Sequence, residues 1–425
     1  MNFNSEIKEI TAREILDSRG APTVEATVTL ESGAVGTASV PSGASTGAYE
    51  AVELRDREKR MHGKGVLMAV DSVKSKIAPS LVGVSALDQV RADSIMITLD
   101  GTGNKSNLGA NAILSVSLAI ARAAAAHVGV PLYKYLGGAS RNTLPIPMMN
   151  ILNGGAHSDN NIDIQEFMVV PHGAESVTEA VRMGAEIYFH LKNLLHNRGY
   201  STAVGDEGGF APSLDGERSA IELILESIEK AGLKAGSDVS LALDVASSEW
   251  YDGEKKNYFM PKSKRTLSSE ELLALLCDLK SKYPIISIED GMGEDDVPGW
   301  RAMTERMKSD TILVGDDLFV TNKKRLIIGK TQKIANAILI KPNQIGTLSE
   351  VIEAVDYAKA NGYKTIMSHR SGETADTFIA DLAVALGCEL IKSGAPARSE
   401  RAEKYNRLMK IESELFAPSF AGENF

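Results

Sequence analysis

Six apolar runs in the second half of the chain each stop at a charged or imidazole side chain: SLALD at Asp244, IISIE at Glu289, ILVGD at Asp316, AILIK at Lys341, TIMSH at His369 and CELIK at Lys392. The runs are short, rich in β-branched residues and followed by helical patterns. This predicts buried parallel strands that hand over to loops and helices. In a (β/α) barrel every strand carboxyl end opens onto one rim, so three carboxylates, two lysines and a histidine would face one pocket.

The chain has 425 residues, too many for one ordinary domain on a prior of ~150 residues each, but suited to a barrel plus a smaller unit. The smaller unit reads as residues 1–138. Three alternating runs, Ile7–Ile15, Thr23–Leu30 and Val35–Val40, are separated by the turn chemistries DSRGAP and ESG, which predict an antiparallel meander. Helical spacing then appears over Gly65–Leu81 and Ala110–His127, making this part α+β. The connector GGASRNTLPIP carries boundary punctuation, and residues 139–425 read as the barrel domain with the active site.

Helical stretches begin near Glu175, Glu217, Ser268, Leu348 and Glu373, several ending at glycines such as Gly199, Gly232 and Gly362. With MMNIL, QEFMVV and TAVGD added, nine runs compete for strand positions. The first two are separated by NGGAHSDNNID, too short for a crossover helix, so they are expected to pair antiparallel in a slightly irregular barrel. A doubly wound sheet is the alternative, but no strand leads into GxGxxG or GxxxxGK[ST], and the GTG at Gly101–Gly103 lacks a third glycine.

Composition excludes several classes of function. The net charge is −10 and no dense Lys/Arg block is present, so nucleic acid is not expected as a primary ligand. MNFNSEIKEI has neither the basic start nor the apolar stretch of a secretory signal, and the Ala-rich run from Asn111 to Val130 is interrupted by Ser115, Ser117, Arg122 and His127. Cytoplasmic residence without a membrane span is the expectation. Cys277 and Cys388 stand far apart and form no zinc-like or CxxC spacing.

Asp244, Glu289 and Asp316 end three successive strands. An all-oxygen set favours a hard cation, Mg²⁺ first and Mn²⁺ second. Each acid taken singly could merely cap the following helix. Lys341 and Lys392 end two later strands, where a nearby metal and a second lysine are expected to lower a lysine pKa toward that of a base. Glu207 stands in VGDEGGF, Gln165 and Glu166 in IQEFMVV, and His157 in NGGAHSDN. Arg370 and Ser371 precede a helix expected near Glu373, which suggests a phosphate seat. Taken singly, His157 could be a loop hydrogen-bonder and Glu166 a salt-bridge partner.

The stretches LDSRG, VPSGASTG, LGANAILSVSLA, MMNILNGGAH, QEFM, AVGDEGG, SIEDG, VGDDLFVTN, NQIGTL, SHRSGET and IKSGAPARSER occur in this order along nearly the whole chain, which resembles the enolase family (2-phospho-D-glycerate hydro-lyases). A Lys or His base with one or two Mg²⁺ ions is general to that superfamily and is implied here by the resemblance. The resemblance also implies a small α+β domain before a barrel beginning ββαα, and reversible dehydration of 2-phosphoglycerate to phosphoenolpyruvate. It assigns Asp244, Glu289 and Asp316 to the tighter Mg²⁺ and Ser42, in the PSGASTG loop, to a second Mg²⁺ bound with substrate. Lys341 becomes the carbon-2 base and Glu207 the acid, supported by Glu166. Arg370 and Ser371 would hold the phosphate, Lys392 the carboxylate, and His157, Gln165 and His369 would line the substrate. A homodimer or ring of dimers is implied as well.

The chain departs from the family pattern at Ala21, Ser158, Ala375 and Pro342, none of which removes a candidate catalytic group. Pro342 restricts Lys341 to extended backbone, as suits a strand end. Two other functions fit the residues less well. A racemase or cycloisomerase acting beside another carboxylate does not need the phosphate seat or Glu207, and a non-catalytic scaffold is expected to lack at least one rim residue.

Overall fold

The computed structural model describes residues 4–43 and 47–424. Its N-terminal part is a meander of β1 (Ile7–Leu16), β2 (Pro22–Leu30) and β3 (Val35–Ser39), all antiparallel. Along β2 the side chains of Val24, Ala26, Val28 and Leu30 are buried and alternate with half-buried Glu25, Thr27 and Thr29, so one face of the sheet is covered. The cover is α2 (Ala110–Val128), which follows α1 (Gln89–Asp100). Its alanines let the helix backbone approach the sheet closely. A Cβ at Gly36 would collide with the backbone of Ala119 and Ala123, so only glycine fits there. By length and composition α2 could cross a membrane, yet 78% of its most apolar window is buried inside the protein.

The rest of the chain forms a closed barrel of eight strands: β4 (Ile146–Asn153), β5 (Glu166–Val170), β6 (Ser240–Asp244), β7 (Ile285–Glu289), β8 (Ile312–Gly315), β9 (Ala337–Ile340), β10 (Lys364–Ser368) and β11 (Leu390–Lys392). Neighbours in sequence are neighbours in the ring, and β11 closes onto β4. β5 is antiparallel to both β4 and β6, as the short connection from β4 requires, whereas the other pairs are parallel. Two helices, α3 (Val177–Asn197) and α4 (Glu217–Lys230), precede β6, giving the ββαα opening. Single helices then follow in turn: α5 (Ser269–Lys282), α6 (Val297–Met307), α7 (Lys323–Gln332), α8 (Leu348–Ala360), α9 (Phe378–Leu386) and α10 (Ser399–Glu414).

Three features differ from the sequence-based expectation. TAVGD joins no barrel strand. Val204 makes only an isolated bridge to Phe210, because eight strands already close the ring. The helix expected near Glu373 starts at Phe378, since Glu373 accepts the backbone N–H groups of Arg370 and Thr374 and holds that stretch as a turn. A small antiparallel sheet, Tyr251–Asp252, Asn257–Met260 and Arg265–Ser268, is inserted between β6 and α5.

Candidate active site

Because β5 runs backwards, its amino-terminal Glu166 reaches the same rim as the carboxyl ends of the other strands. Glu166 stands in register with Asp244, and Asp244 with Glu289. Asp316 and Lys341 each lie one residue beyond a strand end, as does His369. They surround a cavity of about 310 Å³ lined by His157, Gln165, Glu166, Glu207, Asp244, Asp316, Lys341, His369, Arg370, Ser371 and Lys392. Glu289 is buried behind Lys392. The Lys392 ammonium lies 2.9 Å from Glu289 and 3.1 Å from both Asp244 and Glu166.

Going round the ring, Glu166 stands at β5, the three carboxylates follow on β6, β7 and β8, and Lys341 follows β9. Strands β5 and β9 are four places apart among eight, so Glu166 and Lys341 occupy opposite walls of the mouth. Glu207 joins Glu166 from the loop before α4, and atoms of Glu166, Glu207 and His157 lie within 4.8 Å of one another. Asn150 donates to Glu207 Oε2 at 3.0 Å, and His369 Nε2 is 3.3 Å from the same oxygen.

Two carboxylates this close in a dry site share protons unequally. Burial, reinforced by the Glu207 charge, pushes Glu166 well above the usual carboxylate range. Burial alone would also raise Glu207, but His369, His157 and Arg401 draw it well below. Glu166 is thus the more readily protonated of the two. Glu207, expected from the sequence to be an acid, stands paired with Glu166.

Lys341 is held by an ion pair. Burial works against its charge, yet the Asp316 carboxylate 2.5 Å away outweighs burial and Arg370 and holds the ammonium above its ordinary pKa. Lys392 is likewise held well above its ordinary value, with burial outweighed by Asp244, Glu166 and Glu289.

The donor set suits a hard divalent cation. Asp290, Asp316 and Asp317 present oxygens within 4.8 Å of one another, and Asp244 and Glu289 stand beside them on the neighbouring strands. Burial and mutual repulsion push Glu289 and Asp290 well above the usual carboxylate range and Asp317 to about 8. Carboxylates crowded this way are relieved by a cation, and oxygen ligands match Mg²⁺ or a similar ion.

Ser42 is not in the cavity lining. Its hydroxyl donates to Asp17 at 2.5 Å and accepts from Arg19, while its backbone bonds reciprocally with Gly372. Residues 44–46 of the PSGASTG loop lie outside the described residues. Arg370 does face the cavity, but its guanidinium is engaged by the Glu50 carboxylate at 2.9 Å and by Asn343. No helix N-terminus supports Ser371, because α9 begins seven residues later.

Sequence reasoning missed Glu50, Asp290, Asp317, Arg401 and Lys404. Asp290 and Asp317 had a visible signal in the doublets ED and DD. Asp290 adopts φ 41° and its carboxylate accepts the N–H groups of Asp316 and Asp317, so it aims the neighbouring strand end. Lys404 is completely buried, 2.9 Å from Glu373, and donates to the carbonyls of Thr374 and Glu400. Lys404→Met is expected to cost ~3–5 kcal/mol, because it leaves Glu373 buried with its principal partner gone. Urea unfolding measures the loss, and Glu373→Gln in the same background should recover part of it. An unchanged midpoint would remove the pair from any stabilising role.

A closed barrel with a smaller α+β unit, and a mouth that sets a lysine against two carboxylates across a row of buried acids, is an arrangement suited to acid–base chemistry on a small molecule. Family models for "Enolase, N-terminal domain" and "Enolase, C-terminal TIM barrel domain" match residues 7–136 and 141–425. The chain belongs to the enolase family and is an enolase-type lyase.

Proposed function

We propose that this chain catalyses the reversible, Mg²⁺-dependent dehydration of 2-phosphoglycerate to phosphoenolpyruvate, as a phosphopyruvate hydratase of glycolysis and gluconeogenesis. The observation that carries the proposal is the opposition of Lys341 and the Glu166–Glu207 pair across one mouth. Elimination needs a base at one carbon and an acid at the next, held apart so that each keeps its own protonation state.

Lys341 takes the proton from carbon 2, and the electron pair of that bond forms the carbon 2–carbon 3 double bond. The carbon 3–oxygen bond breaks, and the Glu166–Glu207 pair protonates the departing hydroxyl, which leaves as water. Lys341 can act as base only when its contact with Asp316 is relieved, because that ion pair favours the ammonium. Arg370 and Ser371 receive the phosphate, in competition with Glu50 for the guanidinium. Lys392 receives the substrate carboxylate, while His157, Gln165 and His369 line the site. Mg²⁺ held by Asp244, Glu289 and Asp316, with a second ion at Ser42 once its hydroxyl is released from Asp17 and Arg19, would supply counter-charge as negative charge develops on that carboxylate. A homodimer or ring of dimers and cytoplasmic residence belong to the same proposal.

Incubation with 2-phosphoglycerate and Mg²⁺ should raise the ultraviolet absorbance of the enol product. Glu207→Gln is expected to exchange the carbon-2 proton with solvent while failing to release water. No absorbance change with the unaltered chain, together with racemisation of another carboxylate substrate, would favour a different member of the same reaction class.

A further inference from the structure

We propose that Arg401 is a positioning residue that locks His369 in its Nε2-protonated tautomer and so holds Glu207 and the His369–Ser371 segment in one geometry. The inference rests on the reading of Glu207 as part of the proton-donating pair.

Arg401 stands in the first turn of α10, and its side chain is completely buried. The guanidinium donates to His369 Nδ1 at 2.7 Å, to the carbonyls of Arg370 and Ser371 at 2.6 Å, and to the Asp206 carbonyl at 3.0 Å. These acceptors belong to two loops far apart in sequence, one carrying the candidate substrate-binding residues and the other leading directly into Glu207. The nearest acid, Glu400, is 3.5 Å from Nε, so most of the guanidinium's hydrogen-bonding capacity goes to neutral groups.

A guanidinium has donors and no acceptor, so His369 Nδ1 must accept and the ring proton must sit on Nε2. Nε2 lies 3.3 Å from Glu207 Oε2, within ion-pair distance but not aligned as a hydrogen bond, and that oxygen accepts from Asn150. The other tautomer would set Nδ1–H against an arginine N–H and a bare Nε2 lone pair against a carboxylate. The groups facing the ring are Glu207, Arg401 and Glu373, and burial outweighs the two acids to draw His369 down to about 4. The imidazole is therefore neutral at pH 7, and its tautomer is a real choice that Arg401 decides. Lysine cannot reproduce this, because an ammonium lacks the planar fork that serves four acceptors at once.

The test uses the full chain with ¹⁵N-labelled histidine. Two-bond proton–nitrogen correlation identifies the tautomer of His369, whose signal is assigned by its absence in His369→Gln. The expected result at pH 7 is a single Nε2-protonated form. In Arg401→Lys the signal should become a mixture of tautomers, and kcat should fall ~100-fold with KM within about threefold, the share of rate that a misaligned acid forfeits. If Arg401→Lys is poorly folded by circular dichroism, the tautomer in the unaltered chain still decides the matter. An Nδ1-protonated or doubly protonated ring at pH 7, or a lysine variant with unaltered tautomer and turnover, overturns the proposal. The spectroscopic arm needs no substrate. If 2-phosphoglycerate is not dehydrated, the proposed function fails while the tautomer result stands on its own.

Discussion

Lys341→Ala is expected to abolish exchange of the carbon-2 proton with solvent and to lower turnover by about 10⁴-fold, the upper range for loss of a positioned general base. On its wall of the mouth the side chain is paired with Asp316. The other lysine, Lys392, sits on β11 and is bound to three carboxylates, so it cannot substitute. The variant should keep its fold, because the nearest partner it abandons, Asp316, retains the Gln344 amide at 2.8 Å. Deuterium incorporation into 2-phosphoglycerate, followed by proton NMR, is the direct measurement. Exchange at the normal rate in the alanine variant would reverse the acid and base walls and leave the carboxylate pair as the base.

Removal of divalent cations should stop turnover, and Mg²⁺ should restore it. A readout independent of activity is also expected. A cation that binds only the folded chain raises its stability by ~2.7 kcal/mol at a hundred times its dissociation constant, so the unfolding midpoint should rise with Mg²⁺ concentration. The gain should shrink in Glu289→Gln, which removes one buried charge at the heart of the acidic row. Affinity should weaken as pH falls, because carboxylate ligands must be deprotonated to bind. Turnover that persists in chelator, with a midpoint indifferent to Mg²⁺, would remove the metal from the mechanism.

The barrel and the ring of rim residues were legible because strand ends are written locally. A short apolar run that stops at Asp244 or Lys392 states its own endpoint, and the closed barrel dictates that such endpoints meet. The antiparallel placing of β5 was legible for the same reason, since NGGAHSDNNID is too short to carry the chain back across the sheet. The Glu373 helix was misread because a run of polar residues before an apolar stretch looks like a helix start, whereas Glu373 spends its carboxylate on nearby backbone N–H groups.

The sequence by itself determined which strand-end side chains face the mouth of the barrel and in what order round the ring, because register and alternation are properties of neighbouring residues. Only the tertiary structure decided how those side chains pair. Glu50 meets Arg370 across 320 positions, Arg401 reaches His369 from a helix 32 residues further on, and Asp17 accepts the Ser42 hydroxyl. Charge states followed from those pairings. Burial pulls Lys341 one way and Asp316 pulls it the other, and the balance depends on a 2.5 Å approach that no local pattern encodes.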